Sequence, residues 1–355
     1  MEVSPSHALD IGAHGSTVRP LSVWVVSDGR TGIENQSLGL AEAIAALTPT
    51  VITRHIVRWK PAFDRLPSAF KQPWMLAQGA DLLSGPDFPD IWIATGRASL
   101  PLSVRIKAAS SGKTFVVQTQ DPRWKNSQYD LIIAPEHDRV SGPNVLSIVG
   151  SPHRVTPDRL RAAAAAPAPA FADRLNNLPH PRVALLVGGT SKAFDLSEDH
   201  AAALADVIAE TVEELGGSLM VTFSRRTPMM AQNFMMQRLK PVTGLIWDGA
   251  GENPYFAFLQ AADYILVTED SANMTTEAAS TGKPVYVLPM VPLKPQTKFK
   301  RLHDSLETYG ATRPFEGRLE HWTYAPLAET ARIACEILKR SGHAQAQTRI
   351  SAVRT

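Results

Sequence analysis

The sequence predicts a two-domain α/β protein in which each domain is a doubly wound, mostly parallel sheet with helices on both faces. Three observations predict it. Short runs rich in Val, Ile and Leu alternate with longer helix-patterned stretches, which is how βαβ units read. The alternation runs through twice, on either side of an Ala- and Pro-rich stretch. The chain's 355 residues also exceed what one ordinary core holds.

The first series opens with LSVWVVS at 21–27, a β-branched run closed by Asp28 and Gly29. A helix follows, with Ser37, Leu40, Ala41, Ile44 and Leu47 on one face, ended by Pro49. VITRHIVRW at 51–59 and DIWIATG at 90–96 read as strands. Leu102, Ile106 and Ala109 mark a helix stopped by Gly112. TFVVQTQ at 114–120, DLIIAP at 130–135 and an edge strand at 145–150 complete a domain over 21–155. Residues 156–182 read as a linker. The second series, 183–320, holds RVALLVGG at 182–189 and a helix capped by Ser197, with Glu198 and Asp199 in its first turn. SLMVTFS at 218–224, GLIWDG at 244–249, YILVTED at 264–270 and PVYVLPM at 284–290 follow as strands. A last helix is predicted over 321–340, between a flexible leader at 1–20 and a tail at 341–355.

Bulk composition narrows the function. With 44% hydrophobic and 20% charged residues the chain is globular, and 36 basic against 34 acidic residues leave a charge of +2. That balance argues against a nucleic-acid binder. The single cysteine, Cys335, can form neither an internal disulfide nor a zinc cage, which fits a cytoplasmic setting. No run approaches the roughly 18 apolar residues of a membrane span, and the N-terminus does not read as a signal peptide. Arg58, Lys60, Arg65 and Lys71 interleave with Trp59, Phe63, Phe70 and Trp74. That pattern suits either a peripheral contact with the inner membrane or aromatics packed inward.

Parallel sheets bind ligands beyond the carboxyl ends of their strands. In the second domain four such ends carry chemistry. Gly188-Gly189-Thr190-Ser191 offers backbone N–H groups and hydroxyls for phosphate, although a plain turn would read the same way. Ser224-Arg225-Arg226-Thr227 places a guanidinium where it could pair with a diphosphate. In TEDSANMTTEAASTGKPVYVLP, at 268–289, Asp270 or Ser271 caps a short helix ended by Gly282. Ser271, Ala272 and Asn273 lie at its N-terminus. Glu277, on the face of Asn273, is either a ribose ligand or a solvent-facing carboxylate. Trp247-Asp248-Gly249, with Asn253 and Pro254, suits a nucleotide-base pocket. In the first domain, Asp28-Gly29-Arg30-Thr31-Gly32 leads into Glu34, Asn35 and Gln36. Arg97, then Gln120-Asp121-Pro122-Arg123, then Glu136-His137-Asp138 follow later strands. Polar groups at every exit suit an acceptor site, with Gly32, Asn35, Gln36, Arg97, Gln120, Asp121 and Arg123 as its candidates.

Together DGRTGIENQSLGLAEA, QTQDPR, the GGTS turn and TEDSANMTTEAASTGKPVYV resemble the mitochondrial fission protein family named for elongated mitochondria in plants. Its bacterial members are labelled nucleoside-diphosphate-sugar epimerases or glycosyltransferases. The resemblance spans about 21–340. It implies a GT-B architecture, two facing Rossmann-like domains across a cleft, with the last helix returning to the first. The segment around Glu277 is also similar to the donor site of the N-acetylglucosaminyltransferase that makes the peptidoglycan lipid intermediate. That similarity implies Glu277 at the ribose and Gly189, Thr190 and Ser191 at the diphosphate. Gly32 with Glu34 resembles the glycine–glutamate pair of Kdo transferases, where the glutamate is the general base.

The expectation is therefore a glycosyltransferase that takes a nucleotide-diphosphate sugar as substrate and needs no cofactor. Its acceptor is lipid- or glycan-linked. Glu34, Asp28 and His137 are the candidate bases. No Asp-x-Asp motif occurs, so metal independence is expected. A nucleotide-sugar epimerase of the same fold and a non-catalytic adaptor are the alternatives.

Overall fold

The computed structural model describes residues 19–343, so most of the expected leader and tail lie outside the described residues. The first sheet contains β1 (Leu21–Ser27), β2 (Thr50–Ile56), β3 (Ile91–Thr95), β4 (Phe115–Thr119), β5 (Leu131–Pro135) and β6 (Val145–Ile148). All pair in parallel, in the order β2-β1-β3-β4-β5-β6. The run expected as one strand over 51–59 divides. Arg58–Trp59 leave the sheet and pair antiparallel with Leu76–Gln78.

Alternation along β1 explains both layers. Val23 and Val25 point into a core shared with α1 (Thr31–Ala45), where Leu40, Ala41 and Ile44 recur at helical spacing. Val26 points to the other face, against Leu102 and Ile106 of α2 (Leu100–Ala109).

The segment 156–182 is more than a tether. It forms α3 (Pro157–Ala165), capped by the Thr156 hydroxyl, and a short turn of helix, Ala172–Leu175. Leu160, Phe171 and Leu175 enter the core of the second sheet, with Phe171 edge-on to Phe258. Its prolines and alanines hid those few anchors.

The second sheet holds β7 (Arg182–Val187), β8 (Ser218–Phe223), β9 (Gly244–Trp247), β10 (Tyr264–Thr268), β11 (Val285–Leu288) and β12 (Thr312–Pro314). Its order is β9-β8-β7-β10-β11-β12, again parallel throughout. Around it pack α4 (Glu198–Glu214), α5 (Met229–Leu239), α6 (Tyr255–Ala261), α7 (Ala272–Ala279) and α8 (Thr297–Thr308). Ser197 caps α4 as expected, its Oγ accepting the His200 N–H at 3.3 Å.

The final helix is shorter than expected: α9 spans Glu329–Arg340. The preceding stretch carries Pro326 and is tied to the second domain, so it cannot continue the helix. Trp322 Nε1 donates to the Gly310 carbonyl at 2.8 Å and Tyr324 Oη to that of Lys283 at 2.7 Å. α9 then buries Ile333, Ala334, Ile337 and Leu338 in the core of the first sheet.

In each sheet the chain reverses direction beside its first strand, at β1/β3 and at β7/β10. Such switch points open crevices at the carboxyl ends of the strands.

Candidate functional site at the interdomain cleft

The exits of β7 and β10 lie side by side, and the glycine pair is built to fit that contact. A Cβ on Gly188 would stand 2.1 Å from Asp270 Oδ1, and one on Gly189 2.1 Å from the Arg226 carbonyl. The Gly188 N–H donates to Thr268 Oγ1 at 2.7 Å and the Gly189 N–H to Asp270 Oδ2 at 3.1 Å. The buried Asp270 carboxylate also accepts from the Thr268 hydroxyl and pairs with Arg226, both at 2.7 Å. The hydroxyl of Ser191 accepts the Ala193 and Phe194 N–H groups, while Thr190 Oγ1 donates to Asp195 at 3.2 Å. The turn expected to cradle phosphate therefore has much of its donor set engaged within the protein. Gly188 answers to a buried carboxylate and Gly189 to a backbone carbonyl.

Ser271, not Asp270, caps α7, its Oγ accepting the Met274 N–H at 3.3 Å. Two residues on, Asn273 is a hub between the domains. Its Nδ2 donates to the Gly32 carbonyl at 2.9 Å. Its Oδ1 accepts from Gln36 Nε2 at 3.1 Å and from the Ser151 hydroxyl at 2.9 Å. Gln36 in turn accepts from Gln120 Nε2 at 3.1 Å. Arg225 reaches across the cleft and donates to the Thr31 hydroxyl. Lys298 of α8 pairs with Asp138, and Arg301 donates to the His137 carbonyl at 3.4 Å. The carboxyl ends of the two sheets thus face each other across a closed cleft.

Glu277 is buried, which removes the solvent-facing reading. It accepts the Tyr255 O–H at 2.5 Å. Burial raises its pKa to about 7, against the opposing pull of Tyr255 and Arg154.

The candidate bases separate by direction. Glu34 accepts from Arg54 Nε at 2.8 Å and pairs with its terminal nitrogen at 2.7 Å. Two residues from both Gly32 and Gln36, it sits about 200° around α1 from them, on the side of edge strand β2. Asp28, at the β1 exit, pairs with Arg30 at 2.7 Å. His137 stands on the turn after β5, where burial lowers its pKa and Asp138 opposes the shift. Asp121 pairs with Arg123 at 3.5 Å, Arg97 is exposed at the β3 exit, and Asn35 is half-buried. None of these last four joins the Asn273 hub. Asp248 accepts the Ala250 N–H and Asn253 the Tyr255 N–H, both turn-forming bonds.

Ser151 and Tyr255 were missed, though signals existed. Ser151 follows β6, and Tyr255 follows the Asn253-Pro254 pair. His303 of α8 carried no signal; its Nε2 lies 3.0 Å from the Glu269 carbonyl, and its buried Nδ1 has no partner among the described residues. Among the described residues no group of three or more His, Cys, Asp or Glu could hold a metal ion. Cavities of about 610 and 660 Å³ lie at the outer edges of the second sheet, by Arg313 and Trp322 and by Met236 and Leu245. Among the described residues no helix is long and apolar enough to cross a membrane.

Comparison with known proteins bears on this arrangement. A family model described as mitochondrial fission ELM1 matches residues 31–341. The chain belongs to that family. The mitochondrial fission protein ELM1 of Arabidopsis thaliana is 31% identical over 278 residues, 71% of this chain. The chain spans 64% of that plant protein's length. The uncharacterized protein RP120 of Rickettsia prowazekii is 27% identical over 357 residues, 90% of this chain and 98% of the relative. Among solved structures, Os79 of O. sativa in complex with UDP superposes with a TM-score of 0.52 at 12% identity, covering 92% and 94% of the two chains. UDP-GlcNAc 2-epimerase of Methanocaldococcus jannaschii, in complex with UDP-GlcNAc and UDP, gives 0.51 at 12% identity over 90% and 99%. Identities this low speak for fold alone. The fold is the expected GT-B-like one, two Rossmann-like domains facing each other.

Proposed function

We propose that this chain is a glycosyltransferase that moves a sugar from a nucleotide-diphosphate donor to an acceptor hydroxyl in the cytoplasm. The observation that carries the reading is the Asn273 hub, which sets the α7 N-terminus against the strand exits of the first domain. The partial positive charge at that helix end, with Arg225, would stabilise the departing diphosphate. Glu277 would exchange its Tyr255 partner for ribose hydroxyls. The acceptor oxygen bonds to the anomeric carbon as the carbon–oxygen bond to the diphosphate breaks. That electron pair leaves with the diphosphate, and the acceptor proton passes to a base. Asp28 and His137 are the better-directed bases, since Glu34 faces Arg54. The reaction draws on no resident cofactor or metal, and its acceptor is lipid- or glycan-linked.

Two other readings have their own support. The engaged groups at 188–191 favour a non-catalytic recruitment protein, in line with the family's description. The epimerase likeness favours isomerisation of the donor sugar. Thermal shift with UDP, GDP, ADP and CMP tests the enzymatic readings. A nucleotide at a hundred times its dissociation constant adds about 2.7 kcal/mol of apparent stability. Asn273→Ala should weaken that shift. Silence from all four nucleotides would leave recruitment as the function. Sugar isomerised without acceptor would favour the epimerase.

A further inference from the structure

From its exposed aromatic side chains and surrounding charge, we propose that the segment 58–75 docks the first domain on an anionic lipid bilayer. Half of its aromatics are anchors. Trp59 is buried, donates from Nε1 to the Ala98 carbonyl at 3.0 Å, and lies under Lys71 at 4.7 Å. Lys71 is itself buried and donates to the Asp64 carbonyl at 2.8 Å. The other aromatics are displayed. Phe70 is 67% exposed and Trp74 62%, with Phe63 holding the Trp74 ring edge-on at 5.2 Å. The expectation that the aromatics all pack inward fails at these two.

Arg58, Lys60 and Arg65 are exposed in the same segment, Lys60 donating to the Trp74 carbonyl at 2.9 Å, and the segment's one acidic residue is Asp64. Two displayed rings bury at most about 250 Å² each, short of the roughly 800 Å² a stable protein partner needs. Exposed aromatic tips in a segment of exposed cations suit the headgroup layer of an anionic membrane instead. The patch is also continuous with the cleft. The Val57 N–H donates to the carbonyl of Ser27, the last residue of β1, at 2.8 Å, and Trp59 Nε1 to that of Ala98, next to Arg97 at the β3 exit. A bilayer here would present a lipid-linked acceptor at the exits of β1 and β3, a role that rests on the transferase reading.

The test is co-sedimentation of the full chain with phosphatidylcholine vesicles, with and without phosphatidylglycerol. Wild type should bind the anionic vesicles alone and be released by salt. F70S/W74S should lose at least about tenfold in partition. With each basic residue near an anionic surface worth about a factor of five, R58Q/R65Q should lose about twenty-five-fold. Brominated lipid should quench Trp74 fluorescence. Equal binding by F70S/W74S and wild type, no binding to either vesicle, or a self-association abolished by F70S/W74S would each overturn the proposal. Unchanged UDP thermal shifts in both variants keep this result separate from the enzymatic reading, which stands or falls on those shifts.

Discussion

Replacing Glu277 with Gln should make the protein more stable above neutral pH and leave it unchanged in mild acid. The side chain is buried against Tyr255, and its pKa rises from 4.5 to about 7 because burial disfavours the carboxylate. A raised acid binds its proton in the folded state over a window where the unfolded chain has already released it. Stability from this group is therefore full below pH 4.5 and falls as pH rises toward 7. Raising one carboxyl this far corresponds to about 3 kcal/mol by pH 8. Glutamine keeps a carbonyl to accept the Tyr255 O–H at 2.5 Å but has no charge to bury. The assay is urea denaturation of both proteins from pH 4 to pH 8, taking the difference at each pH so that every other titrating group cancels. The difference should be near zero at pH 4 and about 3 kcal/mol in favour of Glu277→Gln at pH 8. A difference that does not change with pH would refute the burial argument.

On the acid side the sign reverses at His153, whose pKa burial lowers to about 4, so its contribution is intact above pH 6.5 and lost as pH falls toward 4. His153→Gln, which breaks the 2.8 Å contact with Ser280, should be less stable than wild type at pH 7, with the gap shrinking by about 3 kcal/mol by pH 4 in the same titration. Gly189→Ala forces a methyl to 2.1 Å from a backbone oxygen and should cost about 2–4 kcal/mol in urea, whereas Gly85→Ala, whose nearest new contact is 3.6 Å, should stay within about 0.5 kcal/mol.

The central strands were legible because burial on both faces leaves a continuous apolar run, as in RVALLVGG. Two helices were not. Within MMAQNFMMQRL of α5 only Ala231, Met235 and Leu239 are buried, and α8 buries only Leu302 and Leu306 in a polar sequence. Neither gives a full apolar stripe. At the site, strand exits and caps are local and could be read, which is why Gly32, Gln36, Gln120 and Asn273 were among the candidates. What each side chain touches is not local. The partner of Asn273 Oδ1 is 122 residues away at Ser151, and Gly188 owes its identity to Asp270, 82 residues on. The glycine turn looked like a phosphate cradle because a buried carboxylate and a close-packed carbonyl demand the same small residues.

The backbone passes between the domains twice, and both passages grip α7. On the outward passage Gly150 lies against Thr276, and His153 lies 2.8 Å from Ser280 and donates its backbone N–H to the Thr330 hydroxyl oxygen at 3.1 Å. On the return, Leu327 donates its N–H to the Ala279 carbonyl at 3.2 Å. Two attachments near one end of a short helix make that end the natural hinge for any opening. Opening would swing Gly32 and Gln36 away from Asn273 like a gate, while the Ser280 end of α7 stayed nearly still. Chain scission on the return passage would unpin that hinge and strip α9 from the first sheet, baring Ile333 and Ile337's seat. Proteolysis there should leave the two domains joined through the outward passage but prone to aggregate through the bared face of the first sheet.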